Sequence, residues 1–221
     1  MQLYNKVIFP ILLFFIIYAS CTLVYLSLFF IDNTEYRSVV FSIVLIAICG
    51  FLIKKYKLPT YYFKKFRITG NTTRLIIYTV IMIILFVGIN ITQNLLDTSK
   101  EMRNDYLQNI IFYLSISFPI KAFGEEILYR GLILPYLETK TNRLNKNFNI
   151  SNIITSILMT ITHIGFFYIM PYYNAILAII LVFIASLYFG YLAKVTKQNI
   201  LICGIVHTLF NYIHYFIYCY F

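Results

Sequence analysis

A chain of 221 residues that is 61% hydrophobic and only 12% charged, with a mean hydropathy of +0.79, is not a water-soluble domain, which carries nearer a quarter charged residues. Its length suits one membrane domain and leaves no room for a separate soluble enzyme. The net charge of +10, from 18 Lys+Arg against 8 Asp+Glu, is topogenic and excludes a nucleic-acid footprint, because the basic residues lie in loops between apolar runs.

The apolar runs predict the spanning helices in order. Val7–Ile31 is too long for a signal-peptide core and has no small-x-small cleavage site, so it is read as a span. Ser38–Ile53 is a short second span. The loop 54–74 then holds seven basic residues and no acid, interleaved with Tyr and Phe, as a segment lying on the membrane surface does. Leu75–Leu96 follows, and Ile110–Leu137 is long enough to tilt or protrude. Ser151–Met170, Ala175–Ala193 and Asn199–Cys219 complete a set of seven. Backbone groups in lipid are satisfied only within helices or closed barrels, and these runs are too long for barrel strands. The expected fold is therefore an all-α, polytopic transmembrane helical bundle of about seven (six to eight) helices. It forms a single domain over 1–221, in which 1–109 carries no motif and 110–215 carries the chemistry.

Basic residues in the loop 54–74, after Leu137 and after Ala193 contrast with Asp32, Glu35, Asp97, Glu101 and Asp105 in the alternate loops. The positive-inside pattern puts the N-terminus in the cytoplasm and the C-terminus outside. Cys21, Cys49, Cys203 and Cys219 all fall in apolar runs without a CxxC pair, and read as small buried hydrophobes.

Within Ile110–Leu137 the stretch GEEILYR (124–130) is anomalous, since a charge at the centre of a helix in lipid costs roughly 2.5–3.5 kcal/mol. Glu126 with Arg130, and Lys121 with Glu125, are spaced i,i+4 and can pair along the helix. Two intrahelical ion pairs holding the bundle together would be a purely structural explanation. The three histidines argue for more. His163 and His207 lie in later apolar runs, and Asn211 shares a helix face with His207. With helices of alternating direction, Glu125, His163 and Asn211 each fall roughly 18 Å, and His207 roughly 12 Å, from their cytoplasmic ends. A carboxylate and an imidazole at one depth can deprotonate a water for amide hydrolysis, while a second His and an Asn amide can donate to the oxyanion. Two His and one carboxylate also make a zinc set, so zinc or another divalent metal stays open, although HExxH is absent. Ser115 and Ser117 lack a GxSxG elbow. His214 is read as a packing or interfacial residue.

EExxxR (Glu125, Glu126, Arg130), His163 in a later helix, and HxxxN (His207, Asn211) together resemble the three motifs of the CPBP family. These are the CAAX-prenyl-protease and bacteriocin-processing intramembrane proteases, also called the Abi family. The resemblance covers about residues 110–215. It implies an intramembrane endopeptidase whose buried site opens to the cytosolic side, acting on a peptide or membrane-anchored protein segment. It implies Glu125 as base with His163 on the catalytic water, His207 and Asn211 as the oxyanion site, and Glu126 and Arg130 as supporting residues. Met159 stands where the family has Phe, four residues before His163, and Lys121 is expected to neutralise Glu125. The implied setting is a bacterial cell membrane, which an Ile-, Asn- and Lys-rich composition fits, with peptide processing or bacteriocin self-immunity as the role. The expected partners are membrane lipids and the substrate, with no nucleic acid. The rival from another class is a non-catalytic immunity or scaffold protein binding a peptide or a transporter. A proton pathway is disfavoured because the polar groups cluster at one depth instead of running across the membrane.

Overall fold

In the computed structural model, residues 2–59, 68, 70–96, 107, 109–141 and 150–220 are described, with 2–6 and 140–141 by backbone alone. They form an all-α bundle: α1 (Gln2–Ser27), α2 (Thr34–Lys55), α3 (Thr72–Leu96), α4 (110–141), α5 (Ile150–Thr162), α6 (Tyr172–Val195) and α7 (Ile200–Tyr220). Among the described residues, six helical stretches are long and apolar enough to cross a membrane: α1 from Val7, α2, α3, 150–169, α6 and α7. With this bundle the protein is an integral membrane protein. The loop charges at 60–67, 97–106 and 142–149, on which part of the orientation argument and of the membrane-surface reading of 54–74 rests, lie outside the described residues.

Two expected elements differ in detail. The second span is not short, because α2 begins at Thr34, ahead of its apolar run. The Asn33 side chain caps it, accepting from the Glu35 and Tyr36 amides at 2.8 and 3.2 Å, and Lys54 and Lys55 close its last turn. The fourth run is helical over 110–141 but not uniformly α. π-Helical turns at Tyr113–Ser117 and Ile127–Ile133 flank the α-helical segment Phe118–Glu126. Pro119 lacks the N–H that an α-helix would direct back to residue 115, and the first π turn ends just ahead of it. The second π turn starts directly after Glu126.

Packing brings α4 between α2 and α7. Its segment Phe118–Glu126 lies against both, α1 covers α2, and α6 packs on α3 and α5. Two glycines permit the close approaches. A Cβ on Gly204 would stand 2.6 Å from the Phe123 ring, and one on Gly124 would stand 3.2 Å from Ser42 Cβ. All four cysteines are buried free thiols, as their apolar setting suggested.

Candidate active site

α4 turns Glu125 and Glu126 in different directions. Glu126 is fully buried, and its Oε1 accepts from Arg130 Nη1 at 3.3 Å and from His207 Nδ1 at 2.9 Å. Arg130, also fully buried, donates through Nη2 to the Ser186 carbonyl and hydroxyl at 2.8 and 2.7 Å. Its Nη1 meets the Met159 sulfur at 3.1 Å, so the residue that departs from the family pattern supplies an acceptor to the guanidinium. Arg130 also stands over the Tyr129 and Phe189 rings, 5.6 and 5.5 Å from their centroids. The same Phe189 ring stacks on His207 at 5.0 Å. Arg130 thus ties α4, α5 and α6 together around the carboxylate that holds His207 on α7.

Glu125 faces a cavity of about 380 Å³, which His163 also lines. Its side chain is 30% exposed there, and its buried Oε2 has no hydrogen-bond partner. His207 Nε2 lies 3.9 Å from that oxygen. His163 sits on the turn that ends α5, where its Nδ1 lies 2.8 Å from the Met159 carbonyl. A carbonyl only accepts, so Nδ1 donates this bond, and in the neutral ring the lone pair is then on Nε2. The Phe166 ring meets the imidazole edge-on at 5.2 Å.

The expected residues are therefore brought together in part. Glu125 and His163 share the cavity, while His207 joins through both glutamates. Asn211 lies one turn further along α7, half-buried, and does not line the cavity. The expected Lys121–Glu125 pair is not formed. Lys121 Nζ instead reaches Glu35 on α2, with oxygens at 3.1 and 3.4 Å, and Ser117 Oγ donates to the same carboxylate at 3.0 Å. α2 thus offers Lys121 another carboxylate, which leaves Glu125 without that counter-charge.

The N-terminal half, which carries no motif, also contributes to the site. Tyr18, Thr22 and Tyr25 of α1, with Ser38, Phe41, Ser42 and Leu45 of α2, form much of the cavity wall. Hydroxyl-bearing residues at i, i+4, i+7 in α1 and at i, i+4 in α2 were the available signal, since they put a polar stripe on otherwise apolar helices. Tyr129, which shares a hydrogen bond with Thr162 at 2.8 Å, closes the wall between α4 and α5. Among the described residues, no group of three or more His, Cys, Asp or Glu side chains is placed to hold a metal ion. The zinc alternative therefore has no ligand set among the described residues.

Residues 107–213 match the family described as type II CAAX prenyl endopeptidase Rce1-like. No curated protein and no solved structure gives a match. The match spans the same stretch that holds EExxxR, His163 and HxxxN, on a polytopic helical bundle, and it supports a CPBP-family intramembrane protease of the CAAX-endopeptidase type.

Proposed function

We propose that this protein hydrolyses a peptide bond of a membrane-associated protein or peptide, using metal-free water activation by Glu125. The observation that carries the reading is the Glu125 carboxylate. It faces a cavity within the bundle, has a buried oxygen with no partner, shares the cavity with His163, and lies across from His207 Nε2. An intramembrane carboxylate left in this way has a task other than holding helices together.

In the proposed reaction a water bound between Glu125 and the free Nε2 of His163 gives a proton to Glu125 as its oxygen adds to the scissile carbonyl carbon. The resulting oxyanion is met by His207 Nε2–H, with Asn211 as the second donor when substrate widens the site. Glu125 then returns the proton to the departing amine as the C–N bond breaks, so one water is consumed and an acid and an amine leave. For Nε2 to donate while Nδ1 donates to Glu126, His207 acts as an imidazolium. Glu125 and Glu126 against Arg130 and His207 then sum to zero charge, which suits a site in lipid. Glu126 and Arg130 act through His207 and are positioning residues. The physiological setting we favour is peptide processing in a bacterial cell membrane with the N-terminus cytoplasmic, and bacteriocin self-immunity stands second. Both roles rest on the resemblance of the three motifs.

The test is cleavage of a membrane-peptide library in proteoliposomes by the full chain, Glu125→Gln and His207→Ala. Loss of cleavage in both variants, with unfolding temperatures kept, is the expected result. Full biological activity of both variants in cells would overturn catalysis and favour a peptide-binding scaffold.

A further inference from the structure

Helix α5 ends by passing over one carbonyl, that of Met159. In a regular α-turn this oxygen would accept from the His163 amide, but that N–H bonds instead to the Thr160 carbonyl at 3.0 Å, and Ile164 N–H follows it to Ile161 at 3.2 Å. The last carbonyls of a helix need partners from elsewhere. Here two side chains serve: Thr162 Oγ1 donates to the Met159 carbonyl at 2.7 Å and His163 Nδ1 at 2.8 Å. Both lone pairs of that oxygen are then used.

Thr162 joins these bonds to the helix of the glutamates. Its one hydroxyl proton goes to Met159, so the 2.8 Å bond with Tyr129 runs from the phenol to Thr162 Oγ1. Oγ1 keeps a second lone pair, and His163 Nδ1 lies 3.4 Å from it. The imidazole N–H therefore meets two acceptors. With its proton on Nε2 instead, a bare Nδ1 would stand against the carbonyl oxygen. Tyr129 is fully buried and sits on the π turn that starts after Glu126. Tyr129, Thr162 and His163 line the same cavity as Glu125.

We infer that Thr162, which lies outside the three motifs, is a positioning residue: its hydroxyl, fixed by Tyr129, holds His163 with Nδ1 protonated and leaves Nε2 bare for the water. The inference rests on reading Glu125 and His163 as the pair that activates water. It assigns the Tyr129 hydroxyl a task besides packing, because it fixes the oxygen that faces the ring nitrogen.

The experiment uses the full-length chain in proteoliposomes and compares Thr162→Val, Thr162→Ser and the double variant Tyr129→Phe with Thr162→Val. Thr162→Val alone strands the buried Tyr129 hydroxyl and should lower the unfolding midpoint, whereas the double variant leaves neither hydroxyl behind and should recover most of it. In both, kcat should still fall about three- to tenfold with KM kept, the rate equivalent of one neutral hydrogen bond. Thr162→Ser keeps the hydroxyl and should restore kcat. Nitrogen NMR of the chain with isotope-labelled histidine, its His163 signals assigned through His163→Gln, reads the tautomer without any cleavage. Nε2 should be the bare nitrogen in the unaltered chain and in Thr162→Ser, and the Nε2-protonated form should gain at least about threefold in the double variant. Recovery of kcat along with the midpoint in the double variant would make the pair purely structural and overturn the inference. A raised KM at unchanged kcat, or a tautomer indifferent to the loss of the hydroxyl, would do the same. The double variant carries the test if Thr162→Val does not accumulate. Failure of the protease reading would show as full activity of Glu125→Gln, with the tautomer still deciding the role of Thr162.

Discussion

Helix α7 carries two histidines two turns apart, and their surroundings differ in kind. His207 meets two carboxylates and stacks on Phe189, beside a guanidinium that spans three helices. His214 faces α3, where its Nδ1 hydrogen-bonds the Asn90 side chain and its ring stacks on Tyr218. Around it the partners are amides: Gln93 and Asn174 exchange bonds of 2.8 and 3.1 Å with each other's carbonyls, and Asn94 donates to the Ile217 carbonyl at 3.3 Å. The groups left over in this second cluster are the uncharged oxygens of Asn94 and Asn174, whereas the first leaves charged groups, an oxygen each of Glu125 and Glu126 and the Nε of Arg130. None of the amide cluster lines the cavity. Uncharged groups bonding one another across helices join α3 to α6 and α7, which is the ordinary work of polar side chains in a membrane. A carboxylate that lines a cavity is what the proposed reaction uses. Burial and polarity alone do not separate the two regions; the charge of the leftover group and what it faces do.

The contrast breaks most decisively at Glu125. Glu125→Gln keeps shape and removes the base, so the cleavage rate should fall about 10²–10⁴-fold with the unfolding temperature in detergent retained. An unchanged rate would put this cluster in the same class as the amide one. Next in size is Arg130→Ala, which strands the buried Glu126 carboxylate. It should destabilise by about 3–5 kcal/mol, read as a large drop in thermal or denaturant midpoint, and release His207 from its orientation. A midpoint close to that of the native chain would show that the guanidinium is not the hub its contacts describe.

His214→Ala tests the other side. Loss of one interhelical hydrogen bond should cost about 0.6–1.7 kcal/mol, and kcat should stay as it was. A rate loss comparable to that of His207→Ala would erase the distinction between the two histidines. Smallest is Glu35→Gln: the partly exposed pair with Lys121 is worth under about 1 kcal/mol. The same change frees Lys121 to turn toward Glu125, one helical turn away. A modest fall in rate without loss of stability would show that Glu35 keeps the lysine off the base.

Much of this was legible in the order of residues. Long apolar runs separated by basic loops define helices in a bilayer. EExxxR, His163 and HxxxN stand at spacings that bring Glu125 and His163 to one level of the bundle. The Glu126–Arg130 pair also follows from its i,i+4 register. These features are local, since hydropathy and helical periodicity depend only on neighbours along the chain. Which way each polar group turns is settled between helices. Lys121 had a carboxylate four residues on and took another on α2. Glu126, expected to support its own helix, became the acceptor for His207 on α7. α1 and α2, which carry no motif, supply much of the cavity wall because Gly124 lets α2 approach α4. Periodicity places a side chain on a face and at a depth, but helices in lipid find their neighbours through close packing of small residues and interhelical hydrogen bonds, and those arise only when the whole bundle assembles.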